Sequence, residues 1–154
     1  LALNQGHEQI ALKDEIDHVR QYLFIQKQRY GDKLQYEIEE DESLADYKLP
    51  KLVLQPLVEN AIYHGIKEID RQGMIRVTSA VEEGQLILSI YDNGRGFELR
   101  DSTDKTLPRL GGVGLKNVDQ RLRLQFGDDY HMEIDSEPDK FTRISLYLPL
   151  VTDD

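Results

Sequence analysis

Apolar residues near the amino terminus recur at alternating intervals of four and three residues. This spacing predicts a helix through about residue 30, which Gly31 and Asp32 end. The stripe is narrow, and it allows two interpretations. Either the helix packs on its own domain, or it is the end of a dimerising helical hairpin, which the narrowness favours. The stripe consists of Leu12, Ile16, Val19, Leu23, Gln26 and Tyr30.

A strongly apolar segment predicts a second helix, from Pro50 to His64. Proline suits the first turn of a helix, and Gly65 is a natural carboxyl-terminal stop. The internal Pro56 indicates either a kink or a helix that begins later than Pro50. A third helix is predicted from residue 115, with apolar positions 118, 122 and 126 facing a sheet.

Alternating apolar and polar positions predict five strands, and two of them form a hairpin through the turn at residues 82–84. Helices and runs of antiparallel strands in this order indicate a two-layer α/β sandwich. Residues 97–110 are polar and aperiodic, which is typical of a functional lid or of disorder. The predicted strands are residues 34–40, 75–81, 86–90, 130–137 and 142–148.

Composition narrows the possible functions of these 154 residues. The absence of cysteine excludes disulfides, thiolate catalysis and cysteine zinc sites, and it suits a reducing cytoplasmic setting. A formal net charge of -10 argues against nucleic-acid partners and against direct membrane contact, since both need a basic face. No apolar run approaches the roughly 20 residues of a membrane span. An anionic nucleotide would therefore need local recruitment by Mg²⁺, backbone amides and a few cations.

Asn60 lies inside the second predicted helix, within the segment LQPLVENAIYHG that runs from Leu54 to Gly65. An asparagine in an apolar helix is unfavourable unless its amide has a partner. That partner is either nearby backbone or a Mg²⁺ ion that bridges phosphates. His64 follows one turn later, so it points the same way and is a candidate phosphate contact.

A turn with the sequence DNGRG follows the predicted strand 86–90. The sequence favours a simple turn, but Gly94 and Gly96 would also let a flat ligand approach the backbone. The carboxylate of Asp92 can accept a hydrogen bond from the exocyclic amine of adenine. Guanine presents an oxygen at that position, so Asp92 would select adenine.

The glycine-rich sequence GGVG, residues 111–114, precedes the third predicted helix. Successive backbone N–H groups at a helix start bind anions, so Gly112 and Gly114 are candidate phosphate contacts. The sequence is neither a Walker A loop nor a Rossmann fingerprint. Arg121, two turns into the helix, either reaches phosphate or pairs with one of the many acidic residues.

Together these three segments resemble the asparagine and glycine boxes of the GHKL ATP-binding fold, which histidine kinases and gyrase-type ATPases share. Residues 25–30 (IQKQRY), 54–65 and 112–122 (GVGLKNVDQRL) are most similar to LytS- and YesM-type sensor histidine kinases. The similarity extends from Leu12 to Pro149. It implies a mixed, mostly antiparallel sheet with helices on one face.

The resemblance also implies roles for individual residues. Asn60 would hold Mg²⁺, Asp92 would bind the adenine amine, and Thr142 would assist at the adenine end. No catalytic residue is implied within the chain itself, because the phosphoryl acceptor is a histidine on an upstream segment. The implied ATP-binding residues are Asn60, His64, Asp92, Gly94, Gly96, Gly112, Gly114, Leu115 and Thr142.

The implied protein is the kinase of a two-component system. Residues 1–31 would end a dimerisation region, residues 32–150 would form the ATP-binding catalytic domain, and residues 151–154 would be a tail. The γ-phosphoryl group of ATP would pass to the upstream histidine and then to a response regulator. A homodimer through the upstream helices is implied, as is a cytoplasmic location within a bacterial membrane protein.

Three positions depart from the family pattern. Phe141 replaces the glycine that precedes the threonine, so the local turn is expected to differ. Tyr63 stands where many histidine kinases have lysine, which removes one phosphate cation. The phosphoacceptor motif is absent, and His7 lacks the apolar and proline context of such a histidine.

Two other functions remain open: a GHKL-type ATPase and an ATP-binding scaffold without catalysis. The ATPases activate water with a glutamate one turn before the asparagine, where this chain has Pro56. Glu59 is adjacent to Asn60 and is rotated about 100° around the helix, so it faces elsewhere. Phosphoryl transfer relies mainly on positioning and charge stabilisation, so it tolerates this missing base. Loss of the lysine at position 63 makes the scaffold conceivable.

Overall fold

The computed structural model describes residues 8–98 and 112–150. Helices and strands alternate along these residues largely as the periodicity predicts. In chain order the elements are β1 (Gln9–Ala11), α1 (Leu12–Tyr30), a 3-10 turn (Gly31–Lys33), β2 (Leu34–Glu39), a 3-10 turn (Glu42–Leu44), β3 (Lys48–Pro50), α2 (Leu54–Asn60) with a π-helical extension (Ala61–Ile66), β4 (Gly73–Glu82), β5 (Gln85–Asp92), α3 (Gly112–Phe126), a 3-10 turn (Gly127–Asp129), β6 (His131–Glu137) and β7 (Phe141–Pro149).

Five strands form one mixed sheet in the order β2-β4-β5-β7-β6. β2 pairs with β4 in parallel, and the other three pairings are antiparallel. The two-layer α/β sandwich is thus confirmed, as are all five predicted strands. Sequence patterns missed a small second sheet, in which β1 pairs with β3, because strands of three residues are too short to show alternation.

One face of the main sheet is covered by the helices. Buried and partly exposed residues alternate along β4 and β5, and the buried ones join the apolar faces of α1, α2 and α3 in a single core. The opposite face of the sheet carries Arg76, Tyr91 and Arg143, with both guanidinium groups within 5.7 Å of the centroid of the tyrosine ring. The helices therefore lie on one face, as expected.

The stripe of α1 packs into the core of this same chain. Leu12, Ile16, Val19 and Leu23 are all buried there. This arrangement agrees with the alternative in which the helix packs on its own domain. The dimerising role of this helix stays a prediction. The division of the chain at residues 31 and 150 stays a prediction, and residues 1–7 and 151–154 lie outside the described residues.

Two predictions about the second helix were wrong. Pro50 ends β3 rather than opening the helix, which begins at Leu54, so Pro56 falls in its first turn, where its missing N–H costs nothing. The later start was one of the two alternatives that Pro56 indicated. Gly65 does not stop the helix, because the π-helical extension continues to Ile66. None of the helices within the described residues is long and apolar enough to cross a membrane.

Candidate nucleotide site

Asp92 is a buried carboxylate at the end of the central strand β5. Its side chain is only 4% exposed, and its register partners on the neighbouring strands are Ile75 and Thr142. Burial raises the pKa of Asp92 to about 7, against the opposing effect of the Gly94 N–H, which donates to Oδ1 at 2.9 Å. The second carboxylate oxygen, Oδ2, accepts no hydrogen bond from the described residues and is not one of their fully buried unpartnered atoms, so it keeps some accessible surface. A buried carboxylate with one free oxygen can accept a hydrogen bond from a ligand amine.

Gly65, in the π-helical extension of α2, packs directly against this carboxylate. A β carbon at Gly65 would overlap Oδ1 of Asp92, and one at Gly94 would overlap the backbone of Gly65. The N–H of Arg95 donates to the carbonyl of Gly65 at 3.0 Å, which joins helix and loop. Gly65 is therefore a site residue that sequence reasoning identified only as a helix stop. The signal was available in its position, five residues after Asn60.

Gly96 allows a close approach of protein backbone. Its φ of 59° lies in the left-handed region, and a β carbon there would collide with the carbonyl of Glu137 at the end of β6. In this structure the lack of β carbons at Gly94 and Gly96 thus lets the loop after β5 pack against the backbone of Gly65 and Glu137. Close approach to a purine base, as the sequence suggested, stays a prediction for both residues.

The hydroxyl of Thr142 is oriented by a residue that the sequence analysis missed. Ser136 donates to the carbonyl of Phe141 at 2.7 Å and accepts from the N–H of Phe97 at 2.9 Å. The hydroxyls of Ser136 and Thr142 lie 2.9 Å apart. Because the only hydroxyl proton of Ser136 is already used, Thr142 must donate in this pair and keeps its lone pairs as acceptors.

Phe141 does not obstruct this end of the site. Its ring stacks on Tyr91 at a centroid distance of 6.0 Å, on the sheet face away from the helices. Thr142 is the next residue along β7, so its side chain points to the opposite, buried face. The turn before Phe141 forms with Asp139 in the left-handed region at φ 63°, so no glycine is needed there.

Asn60 carries an unsatisfied amide oxygen. Oδ1 is buried and has no hydrogen-bond partner, and it is the sole side-chain atom with that property in the described part of the chain. Since a buried acceptor without a donor costs roughly 1–3 kcal/mol, it calls for a functional explanation. A cation or its bound water fits an amide oxygen, so the chemistry of this atom suits Mg²⁺.

Any such metal would depend largely on ligands other than protein. Within residues 8–98 and 112–150, no group of three or more histidine, aspartate or glutamate side chains could hold a metal ion. Mg²⁺ commonly keeps several waters and binds substrate phosphates through one or two protein groups. Asn60 as a single protein ligand is consistent with that preference.

His64 and Tyr63 both point to the surface. The side chain of His64 is exposed, and its carbonyl accepts from Nε of Arg95 at 3.2 Å. Tyr63 is 59% exposed, and the Lys67 ammonium lies 5.1 Å from the centroid of its ring. The ammonium group of Lys67 thus lies one helical turn after position 63, where many histidine kinases have lysine. The phosphate contact of His64 stays a prediction.

Gly112 and Gly114 of the glycine-rich segment lie inside the first turn of α3. The helix begins at Gly112, three residues earlier than predicted, so the first-turn N–H groups that lack helical partners include the glycines. A β carbon at Gly114 would lie 3.9 Å from Pro56 Cβ, so the start of α3 passes close to α2. Leu115 is 2% exposed, and its side chain belongs to the core. Only its backbone could contact a ligand.

Residues 99–111, which include most of the expected lid, lie outside the described residues. Arg121 can be placed, and it donates to the carbonyl of Leu52 at 2.8 Å. Burial lowers the pKa of its guanidinium group, while the nearby carboxylate of Glu15 opposes that effect. This bond matches neither alternative for Arg121, because no salt bridge joins it to an acidic side chain of the described residues and its partner is a backbone carbonyl before α2. The phosphate contact of Arg121 stays a prediction.

Comparison with known proteins gives the family of this fold. Residues 45–152 match the family described as histidine kinase-, DNA gyrase B- and HSP90-like ATPase, and residues 1–34 match the histidine kinase family. The sensor histidine kinase BtsS of Escherichia coli (strain K12) is 39% identical over 147 residues, which cover 96% of this chain and 25% of BtsS. The sensor histidine kinase YesM of Bacillus subtilis (strain 168) is 35% identical over 142 residues, which cover 91% of this chain and 24% of YesM.

A solved structure shares the fold. The Acinetobacter baumannii histidine kinase AdeS superposes with a TM-score of 0.67 at 18% identity, covering 94% of this chain and 68% of that one. The chain spans about a quarter of the length of the two curated relatives.

Proposed function

This chain belongs to the family of histidine kinase-, DNA gyrase B- and HSP90-like ATPases, and on that premise we propose that it is the ATP-binding catalytic domain of a sensor histidine kinase. ATP binding is implied by the family itself. The γ-phosphoryl group would pass to a histidine of another segment of the full-length protein, and from there to an aspartate of a response regulator. The observation that carries the proposal is the buried, unpartnered Oδ1 of Asn60.

Asn60 would hold Mg²⁺ at the phosphate side of the site. The ion would neutralise charge on the phosphates. The first turn of α3, with Gly112, Gly114 and the backbone of Leu115, would supply N–H groups to the phosphates. His64 would add a further contact from the helix extension. The segment 97–110 would close over the nucleotide as a lid.

The adenine end would lie at the edge of the buried sheet face. Asp92 would accept the exocyclic amine through Oδ2, and the Thr142 hydroxyl would present a second acceptor beside it. Two acceptors and no donor suit adenine and disfavour guanine, whose oxygen at that position would meet a carboxylate. Gly94 and Gly96 would shape the loop that borders the base.

The partners and setting follow from the proposed kinase. A response regulator and a homodimer through the upstream helices are proposed, with residues 1–31 next to that dimerisation region. The domain would act on the cytoplasmic side of a bacterial membrane protein.

One observation bears on hydrolysis as the alternative activity. Oε2 of Glu59 accepts from Nε2 of Gln55 at 3.1 Å, and Glu59 lines the groove between α1 and α2 together with Tyr22. A base for water attack must lie within hydrogen-bond reach of the attacking water. Glu59 is engaged on another side of the helix, which supports phosphoryl transfer over steady ATP hydrolysis.

Calorimetry with ATP and GTP in the presence of Mg²⁺ tests the proposal. We expect ATP to bind and GTP to bind at least about tenfold more weakly, a difference of roughly 1.4 kcal/mol. Asn60→Ala and Asp92→Asn should each bind ATP at least about tenfold more weakly than the wild type does. The control Asp46→Asn removes an exposed carboxylate and should bind as the wild type does. A wild-type chain that binds neither nucleotide would refute the pocket assignment.

A further inference from the structure

Arg71 lies outside every motif of the nucleotide site, on the connection between the α2 extension and β4. Its terminal nitrogen Nη2 lies within hydrogen-bond distance of three backbone carbonyls: that of Asn93 at 2.5 Å, that of Gly94 at 3.0 Å and that of Asp139 at 3.0 Å. Because Nη2 carries two N–H groups, one of them is shared between two carbonyls. Two of these carbonyls belong to the loop after β5, and the third belongs to the β6–β7 turn. One exposed side chain thus joins the two loops that border Asp92.

The surrounding backbone reinforces this junction. The side chain of Asn93 accepts from the N–H of Met74 at 2.7 Å and donates to the carbonyl of Gln72 at 3.1 Å. The N–H of Asp139 donates to the carbonyl of Arg95 at 2.5 Å. The loop after β5 is therefore held both from the start of β4 and from the turn. Arg71 is the one side chain in the described part of the chain that bonds both to this loop and to the β6–β7 turn.

Arg71 acts on Asp92 through a single peptide unit. The carbonyl of Asn93 and the N–H of Gly94 belong to the same planar peptide group. Arg71 binds the carbonyl end of that group, and Oδ1 of Asp92 accepts from its N–H at 2.9 Å. Because the plane is rigid, a guanidinium group that holds one end also sets the direction of the other.

We propose that Arg71 is a positioning residue for purine recognition: it holds the Asn93–Gly94 peptide so that its N–H stays on Oδ1 of Asp92 and Oδ2 remains free for the exocyclic amine of adenine. This inference rests on the proposed function. Without Arg71 the peptide can turn, the carboxylate can rotate, and the distinction between an amine and an oxygen at the base edge weakens.

The test measures ATP and GTP affinity by calorimetry between pH 5.5 and 8.5 for the wild type, Arg71→Gln and Arg71→Lys. We expect Arg71→Gln to bind ATP about five- to tenfold more weakly at pH 8, the loss typical of one hydrogen bond. The preference for ATP over GTP should narrow. Arg71→Lys keeps a cationic donor, so it should recover part of the ATP affinity and part of the preference for ATP over GTP. Arg20→Gln removes the same charge from an exposed ion pair with Glu40 and should match the wild type.

The pH dependence separates positioning from a merely structural role. The Gly94 N–H lowers the pKa of Asp92 against the effect of burial, so its displacement should raise that pKa further. The residues that face Asp92 from β4, β7 and the α2 extension are Ile75, Thr142 and Gly65, none of which titrates. We therefore expect the rise of ATP affinity with pH to move to higher pH in Arg71→Gln.

Two results would overturn the inference while leaving the proposed function intact. In the first, the wild type prefers ATP over GTP and Arg71→Gln binds ATP as tightly as the wild type does. In the second, Arg71→Gln binds ATP more weakly, but its preference for ATP and the pH midpoint of its ATP affinity equal those of the wild type. That result would indicate a general structural effect. A wild type that does not bind ATP refutes the proposed function itself. Thermal unfolding of each variant checks that the fold is retained.

Discussion

Gly65 and Asp92 are packed so closely that a β carbon at position 65 would overlap a carboxylate oxygen of Asp92. The two residues lie on different elements, the π-helical extension of α2 and the end of β5. Because position 65 has no side chain, the helix extension packs directly on the carboxylate of Asp92, at the point where the proposed adenine site begins.

Gly65→Ala is expected to displace Asp92 and to abolish ATP binding. Overpacking a well-packed contact costs about 1–3 kcal/mol, so urea unfolding should report that loss of stability. Gly84→Ala is the control, because its added β carbon meets open space and only the positive φ of 78° is strained. It should lose about 1–2 kcal/mol and keep its ATP affinity. Equal ATP affinity in Gly65→Ala and the wild type would contradict the prediction.

The stability of the wild type should fall as pH rises through the pKa of Asp92, which burial raises from 3.8 to about 7. Between these values the folded state binds more protons than the unfolded state, so the free energy of unfolding decreases with pH. Asp92→Asn cannot ionise and should lack this decrease, which amounts to at most about 4 kcal/mol. Urea unfolding at pH 4.5 and pH 8 measures it.

The exposed Asp46→Asn serves as the control for this comparison and should follow the wild-type profile. If wild type and Asp92→Asn instead run parallel across this pH range, the carboxyl group of Asp92 titrates in its ordinary range and the prediction is wrong.

Glu15→Gln should destabilise the start of α2. The buried carboxylate of Glu15 accepts the N–H groups of Val53 at 2.6 Å, Leu54 at 2.8 Å and Leu52 at 3.2 Å. A glutamine places an NH₂ group against these donors and removes a charge that favours a helix start, so we expect a loss of about 2–3 kcal/mol in urea unfolding. Asp14→Asn, on the exposed side of the same helix, should change stability by less than about 0.5 kcal/mol. Similar losses in both variants would argue against this capping role.

Two neighbouring residues of α1 test where this helix packs. Leu23 is fully buried in the core of this chain, whereas Phe24 is 59% exposed. Leu23→Ala should cost about 2–5 kcal/mol of unfolding free energy at every protein concentration, and Phe24→Ala less than about 1 kcal/mol. If the loss in Leu23→Ala depends on protein concentration, the stripe belongs to an interface between copies.

The sequence by itself determined the order of the three helices and of the five strands of the main sheet, and it indicated the two residues on which the site proposal depends. Alternation in residues 75–81 and 86–90 depends only on neighbouring positions, so the hairpin and the sandwich could be predicted. Asn60 and Asp92 stood out because a polar residue in an apolar helix and an acid at the end of an apolar strand break the local pattern. Their roles in binding stay predictions.

Only the tertiary structure decided which distant residues support that site. The start of α2 is set by Glu15, 38 positions before Val53, so a propensity argument centred on Pro50 placed it wrongly. Arg71 reaches Asp139 across 68 positions, and Ser136 orients Thr142 only because β6 and β7 pair in that register. Such contacts follow from the packing of whole elements, and neither periodicity nor a short motif carries information about them.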